Sequence, residues 1–215
     1  MPDTLPPEFD KPFQDKLDSL LRWRRDVRRF RPDPLPPGAV EALVARACLA
    51  PSVGNSQPWR FVQVDDTARR KAVRAEFERC NAEALAAQAP ADRAAYARLK
   101  LAGLDTAPRH LAVFCDEATQ SGRGLGRNTM PEALRYSAVG AVFALWLAAR
   151  ARDIGVGWVS ILEPLRMTAI LDVPQDWSFV AYLCLGYPER ADDVPELERS
   201  GWQMRDEAAA RILER

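Results

Sequence analysis

The sequence predicts an α+β fold in which a central mixed β-sheet is flanked by helices. Short apolar segments typical of buried strands alternate with longer segments whose apolar residues recur at helical spacing. At 215 residues the chain can bury one sizeable core, and 47% apolar with 28% charged residues is an ordinary balance for a folded protein. We expect a single domain over residues 1–215, with an N-terminal arm at about 1–12 and a C-terminal extension at about 188–215.

The first elements are two amphipathic helices. Apolar residues between 13 and 21 recur at helical spacing, and this helix gives way to extended chain at an arginine-rich cluster. Prolines in residues 32–37 enforce an irregular segment, after which residues 40–48 present a second apolar helical face. Residues 61–64 then form a predicted strand, with a capping segment for the next helix directly behind it.

The middle of the chain predicts a peripheral helical layer followed by a core strand. Residues 67–103 are rich in Ala, Arg and Glu, and the break at 89–92 divides them into two helices. Their modest hydrophobicity is typical of an outer layer. Residues 111–115 form a short apolar strand.

The C-terminal part predicts one strongly apolar helix and two further strands. The helix at 131–152 is apolar almost all round, which in a chain this short indicates a subunit interface as well as a core. Strands at 157–161 and 179–186 are bridged by a helix that starts at Pro164. The last thirty residues are polar and charged, and we expect them to wrap over a partner subunit.

Charge and hydropathy exclude two classes of partner. Thirty basic and thirty acidic side chains cancel, so a nucleic-acid-binding function is not expected. The longest apolar run, residues 138–149, is well short of the roughly 20 residues that span a bilayer. The first eight residues lack the features of a secretory signal, and we expect a cytoplasmic protein with no membrane association.

The cysteines and the glycine-rich segment do not predict a metal or dinucleotide site. Cys48, Cys80, Cys115 and Cys184 are far apart and His110 is the single histidine, which excludes the usual zinc spacings and fits reduced cytosolic thiols. His110 is assigned no role. The glycines at 122, 124 and 126 lack the spacing of a dinucleotide fingerprint.

An arginine cluster at residues 24–30 is the first candidate for a binding site. In an extended chain Arg24, Asp26 and Arg28 share one face, while Arg25 and Val27 share the other. Arginine forks suit a phosphate or the pyrimidine oxygens of a flavin. A solvated run of ion pairs is the alternative interpretation.

The second candidate is a loop of small hydroxyl and amide side chains between two prolines. It contains Ser52, Asn55, Ser56 and Gln57, which can approach and hydrogen-bond the edge of a planar ring. A simple capped turn is the alternative. Together the two clusters predict a site for a phosphorylated flavin.

The two clusters and the turn at residues 185–188 resemble the nitroreductase-like flavoproteins and, more narrowly, their 5,6-dimethylbenzimidazole synthase branch. The resemblance runs from about Leu20 to Trp202. Two features indicate the branch: Asp26 stands where ordinary nitroreductases usually carry Ser or Thr, and residues 155–162 resemble the branch's strand with a serine, Ser160, next to the flavin.

The resemblance implies an α+β sandwich, homodimeric, with two flavin sites at the interface. It also implies that reduced FMN reacts with dioxygen in a closed pocket and is cut into 5,6-dimethylbenzimidazole, the lower ligand of vitamin B12, and erythrose 4-phosphate. A separate flavin reductase would supply reduced FMN. Asp26 is then a candidate for proton transfer, and Ser160 for hydrogen-bonding flavin atoms.

The FMN-binding residues implied by the resemblance are Arg24, Arg25, Asp26, Val27, Arg28, Ser52, Asn55, Ser56, Gln57, Ile161 and Leu162. Arg199 and Arg190 are lesser candidates for the phosphate, with surface arginines as the alternative. A lid could come from residues 80–105, because the chemistry requires that water be excluded.

Three other functions remain open at this point. The chain could be an ordinary NAD(P)H-dependent nitroreductase or quinone reductase that keeps its FMN intact. It could also be a non-catalytic flavin-binding protein, or a structural protein without a ligand. Survival or loss of the flavin during turnover separates the synthase from the first alternative.

Overall fold

The computed structural model describes residues 6–99, 102–206 and 212–215. Eight helices are seen in these ranges, and their order follows the chain. They are α1 (Lys11–Trp23), α2 (Ala39–Ala47), α3 (Thr67–Ala87), α4 (Arg93–Arg98), α5 (Gly103–Thr106), α6 (Ala133–Arg150), α7 (Pro164–Leu171) and α8 (Glu196–Arg199). The α+β class predicted from the sequence is confirmed.

Four strands form one sheet in the order β1-β2-β4-β3. They are β1 (Trp59–Gln63), β2 (Arg109–Asp116), β3 (Gly155–Val159) and β4 (Trp177–Gly186). Each neighbouring pair is antiparallel. The sheet therefore differs from the expected mixed one: within the described residues, the parallel pairing is confined to an isolated bridge between Asp26 and Val156.

The core occupies both faces of this sheet, because side chains alternate along each strand. In β2, Leu111 and Val113 face the cluster that contains α2 and α6. Ala112 and Phe114 face the opposite cluster, which includes residues of α3 and α7. The fold is thus a helix–sheet–helix sandwich, with β2 and β4 at its centre.

Helix α6 has one buried face and one exposed apolar face. The buried face includes Leu134, Val142 and Leu145, whereas Val139 and Phe143 are exposed. Helix α1, which contacts α6, buries none of its own residues. The predicted apolar character of α6 is confirmed, and its outer face lies uncovered in the single chain.

The peripheral layer matches the sequence pattern with one addition. Helix α3 begins at the cap Asp66, whose carboxylate accepts the N–H of Arg69 at 2.7 Å, and α4 follows the predicted break. The short helix α5 was not predicted. In the C-terminal extension, Trp202 lies edge-on to Tyr96 at 6.0 Å, so this part of the extension packs on its own chain.

Candidate active site

The arginine cluster is held against strand β3 by two glycines. Val27 donates its N–H to the carbonyl of Val156 at 3.0 Å. A Cβ at Gly157 would lie 2.2 Å from the carbonyl oxygen of Val27, and one at Gly155 would lie 2.8 Å from its side chain. Both glycines therefore let the segment that carries Asp26 lie close against β3, and at Gly157 the atom that blocks a larger residue belongs to the backbone.

Asp26 is fixed through both of its carboxylate oxygens. Oδ1 accepts the backbone N–H of Trp158 at 2.9 Å, and Oδ2 lies 3.4 Å from Nε of Arg28. Burial raises the pKa of Asp26, although the Trp158 N–H and Arg28 act in the opposite direction. Glu196 adds to the increase through its negative charge. The fold thus gives this carboxyl an increased affinity for a proton.

A cavity of about 180 Å³ opens beside Asp26 and is lined mainly by charged side chains. Arginines outnumber carboxylates in this lining, so the cavity suits an anion. The charged lining residues are Arg25, Asp26, Arg28, Arg29, Arg150, Glu189, Arg190, Asp192, Glu196 and Arg199.

The simple alternation expected for residues 24–28 does not describe how the two leading arginines are placed. Arg25 lines the cavity and donates from Nε to the carbonyl of Asp193 at 2.7 Å. Arg24 instead lies over the ring of Trp146, with its guanidinium carbon 4.8 Å from the ring centroid. Burial lowers the pKa of both arginines. Arg24 is placed differently because its guanidinium packs on an aromatic ring of α6. The alternation of side chains along a strand does not predict such a contact.

The C-terminal extension brings Arg190 and Arg199 to the same cavity. Both guanidinium groups pair with Asp192, at 3.2 and 3.3 Å. The sequence ranked these arginines below the N-terminal cluster, and the structure places them beside it. Arg29 and Arg150 also line the cavity but were not among the predicted site residues. Arg150 is the last residue of α6, and a basic residue at the end of a helix was the sequence feature that could have indicated it.

The second cluster forms a turn that is stabilised by its own side chains. Oγ of Ser52 accepts the N–H of Gln57 at 3.0 Å, and Nε2 of Gln57 lies 3.4 Å from Oδ1 of Asn55. Asn55 and Gln57 both adopt positive φ, at 55° and 48°. Oγ of Ser56 is buried and has no hydrogen-bond partner among the described residues. An unpaired buried hydroxyl is unfavourable, and a ligand could satisfy it.

In one chain the two clusters lie at different ends of α6. The Ser52–Gln57 loop is tied to the N-terminal half, where Oγ of Ser137 accepts the N–H of Val53 at 3.0 Å. The arginine cluster packs on the C-terminal half at Trp146. At 1.5 Å per residue, positions 137 and 146 are about 14 Å apart along the axis, and the loop does not line the cavity.

The third predicted segment follows strand β3. The strand ends at Val159, one residue before Ser160, so Ser160 lies in the connection to α7 and is exposed. Ile161 is half-buried and Leu162 is buried against the core. None of these three residues lines the cavity beside Asp26.

The glycine-rich segment has a packing role. A Cβ at Gly54 would lie 3.0 Å from the carbonyl oxygen of Gly122, so the segment lies directly against the Ser52–Gln57 loop. Gly122, Gly124 and Gly126 all have positive φ. Within the described ranges, no three or more His, Cys, Asp or Glu side chains form a group that could hold a metal ion, and no helix is long and apolar enough to cross a membrane.

Comparison with known proteins shows the family of this chain. The model of the nitroreductase family matches residues 21–187. The chain belongs to the nitroreductase family. A 5,6-dimethylbenzimidazole synthase from Rhodospirillum rubrum is 62% identical over 199 residues, 93% of this chain and 94% of the relative. A second, from Rhodobacter capsulatus, is 49% identical, covering 91% of this chain and 94% of the relative. The chain therefore also belongs to the 5,6-dimethylbenzimidazole synthase branch.

Solved structures of this nitroreductase fold are similar despite low sequence identity. Oxidised iodotyrosine deiodinase bound to FMN and 3-iodo-L-tyrosine has a TM-score of 0.72 at 23% identity, covering 92% of this chain and 99% of that one. A nitroreductase-like protein from Streptococcus mutans has a TM-score of 0.67 at 19% identity, covering 94% and 99%. At these identities the likeness shows the fold.

Proposed function

We propose that this nitroreductase-family protein is a 5,6-dimethylbenzimidazole synthase, which uses dioxygen to fragment reduced FMN into 5,6-dimethylbenzimidazole and erythrose 4-phosphate. The observation that carries the proposal is the 62% identity, over nearly the whole of both chains, to a protein of that name. The position and environment of Asp26 give it a physical basis. Ordinary FMN-dependent nitroreductase activity is the coarser alternative.

The residues present fit a phosphorylated flavin. The arginine-lined cavity suits the phosphate, with Arg25, Arg190 and Arg199 as its partners. The unpaired hydroxyl of Ser56 offers a hydrogen bond to a polar atom of the flavin. We propose that the neighbouring Ser52, Asn55 and Gln57 bind the ring edge.

We further propose that the complete site requires two chains. The cavity in one chain, about 180 Å³, is smaller than the roughly 300–1,000 Å³ of sites for organic ligands. The two clusters also lie at different ends of α6. A second copy packed antiparallel along α6 would bring the Ser52–Gln57 loop of one chain to the arginine cluster of the other.

The exposed apolar surface supports such a homodimer. Tyr136, Val139 and Phe143 form a stripe along α6 and are 58%, 41% and 44% exposed. Leu17 and Leu21 of α1 extend this surface. A contiguous apolar surface of this kind is typical of an interface between subunits.

In this site Asp26 would hold and transfer a proton. Bound reduced FMN supplies the electrons that reduce dioxygen. The elevated pKa of Asp26 brings the carboxyl closer to the range in which it can both accept and donate a proton, and the Trp158 N–H fixes its orientation. Ser160, exposed beyond β3, is the proposed hydrogen-bond partner of flavin atoms.

A flavin reductase is the proposed source of reduced FMN, because the reaction consumes the flavin instead of recycling it. A cytoplasmic location is part of the same proposal. It is supported by the cysteines: all four lie in described residues and are free thiols, as is typical of a reducing compartment.

The direct test is an aerobic incubation of the purified protein with FMN, NADPH and a separate flavin reductase. Mass spectrometry should detect 5,6-dimethylbenzimidazole in the wild type, and Asp26→Asn should abolish most of it. Intact flavin accompanied by steady NADPH oxidation that depends on this protein would support the nitroreductase alternative.

A further inference from the structure

Helix α3 carries a buried carboxylate that lies outside the cavity beside Asp26. Glu76 is 3% exposed, on a helix whose other acidic side chains Glu78 and Glu83 are exposed. Burial of a carboxylate is unfavourable unless charged and hydrogen-bonding partners compensate for lost hydration. Glu76 therefore needs compensating partners, whereas the exposed carboxylates of the same helix are hydrated by solvent.

Two residues of the same helix supply part of the compensation. Arg79 donates to both oxygens of Glu76, from Nε at 3.0 Å and from Nη2 at 2.6 Å. The thiol of Cys80 donates to Oε1 at 3.1 Å. Because of these bonds and the charge of Arg166, the pKa of Glu76 is held at about 2.

The other contacts of Glu76 cross to the segment that follows strand β3. Oε2 lies 2.8 Å from Nε of Arg166, and Oε1 accepts the backbone N–H of Glu163 at 3.4 Å. Glu163 in turn caps α7, since its carboxylate accepts the N–H groups of Leu165 and Arg166, each at 3.0 Å. Glu76 thus joins α3 to the start of α7.

This junction lies three residues from Ser160. The connection from β3 to α7 consists of residues 160–163, and it is fixed at one end by the strand and at the other by the Glu76 contacts. Leu162 is buried between these ends, whereas Ser160 is exposed. Ser160 therefore lies in a four-residue connection whose far end is held by the contacts of Glu76.

We propose that Glu76 is a positioning residue, which holds the 160–163 connection so that Ser160 meets the flavin in the reactive orientation. This inference rests on the proposed function in one respect, the placing of Ser160 beside FMN. Displacing a reacting group by about 1 Å can reduce a rate by about a hundredfold, so a residue outside the site can control the reaction in this way.

Three variants isolate the role of Glu76. Glu76→Gln keeps the shape and one acceptor oxygen but removes the charge that binds Arg79 and Arg166. Arg166→Gln weakens the same junction from the solvent side, because the Arg166 side chain is 58% exposed, and it leaves the Glu76–Arg79 pair intact. Glu78→Gln is the matched control: its carboxylate pairs with Arg74 at 2.9 Å on the same helix.

The first readout is a double-mutant cycle on the yield of 5,6-dimethylbenzimidazole per FMN consumed. We expect Glu76→Gln and Ser160→Ala each to lower the yield by about tenfold or more, and the double variant to be no worse than about twofold below Ser160→Ala alone. Arg166→Gln should show a smaller loss and Glu78→Gln none. Multiplicative losses in the double variant, or equal yields from Glu76→Gln and Glu78→Gln, would overturn the proposal.

The second readout does not depend on catalysis. Amide hydrogen exchange of residues 161–166 should be accelerated at least about tenfold in Glu76→Gln and unchanged in Glu78→Gln. Unchanged exchange in Glu76→Gln overturns the positioning role even when the wild type makes no 5,6-dimethylbenzimidazole. Absence of product in the wild type, with accelerated exchange in Glu76→Gln, refutes the synthase function but supports Glu76 as the residue that holds the connection.

Discussion

Oδ1 of Asp26 accepts the backbone N–H of Trp158 at 2.9 Å, so this carboxylate is anchored directly on strand β3. The bond spans two parts of the chain that are far apart in sequence. The second oxygen of Asp26, Oδ2, lies 3.4 Å from Nε of Arg28.

Replacing Asp26 by Asn should remove catalysis and preserve the fold. Asn retains an oxygen for the Trp158 N–H but has no proton to exchange, and loss of general acid–base catalysis typically costs about 10²–10⁴-fold in rate. We expect product formation to fall by at least about a hundredfold, with little change in melting temperature. Asp33→Asn is the control, because Asp33 is an exposed carboxylate beside Arg31. Wild-type activity in Asp26→Asn would exclude the proposed role.

The two glycines of β3 should differ in their tolerance of a methyl group. In Gly157→Ala the new Cβ meets a backbone carbonyl at 2.2 Å, whereas in Gly155→Ala it meets the side chain of Val27 at 2.8 Å, which can shift. Overpacking typically costs about 1–3 kcal/mol. In chemical denaturation, the loss of unfolding free energy in Gly157→Ala should lie at the upper end of this range or beyond. The loss in Gly155→Ala should be smaller than that in Gly157→Ala. The reverse order would contradict the packing of Val27 on β3.

Acid should destabilise the protein through His110. Burial lowers the pKa of His110 to about 4, and its Nδ1 lies 2.8 Å from the hydroxyl of Tyr182. The unfolded state binds this proton near pH 6.5 and the folded state only near pH 4. The contribution of His110 to the free energy of unfolding is therefore constant above pH 6.5 and is lost as the pH falls from 6.5 to about 4. This difference in pKa between the two states corresponds to a loss of about 3 kcal/mol in the free energy of unfolding.

Denaturation midpoints between pH 7 and pH 4 measure this effect. His110→Gln should flatten the dependence, because the titrating group is gone. Glu76 acts in a lower window, since its pKa falls from 4.5 to about 2 on folding and its contribution disappears only below about pH 4.5. If the denaturation midpoint of His110→Gln depends on pH as steeply as that of the wild type above pH 4.5, groups other than His110 dominate the acid destabilisation.

Charge on the exposed face of α6 should dissociate the proposed dimer and abolish FMN binding together. Phe143→Glu places a carboxylate on the apolar stripe, where its burial in an interface would be unfavourable. Sedimentation velocity should show a monomer. Leu165→Glu is the control, since Leu165 is 77% exposed on α7, which packs on the opposite face of the sheet from α6. A wild type that is monomeric and still binds FMN would contradict the two-chain site.

The sequence predicted the elements of the fold well because their signals are local. The helical spacing of α1 and α2, the break between α3 and α4, and the apolar strands β2 and β4 all appear in short windows. The sheet order and its antiparallel pairing depend on contacts between distant segments, which a single sequence does not encode. The short helix α5 has too few residues to show a periodic pattern.

The candidate site was predicted in its residue types but not in its arrangement. Arg25 and Asp26 were identified from a motif, but the stacking of Arg24 on Trp146 depends on how α6 packs. The separation of Ser56 from the arginine cluster likewise follows from the length of α6. Glu76 gave no sequence signal, because on a charged helix a buried carboxylate looks the same as an exposed one.

The fate of isotopically labelled FMN tests the synthase function most directly. FMN labelled in its dimethylbenzene ring is incubated aerobically with the protein, NADPH and a flavin reductase. We predict labelled 5,6-dimethylbenzimidazole and unlabelled erythrose 4-phosphate, each formed in a 1:1 ratio to the FMN lost. Full recovery of labelled FMN while NADPH oxidation depends on this protein would contradict it.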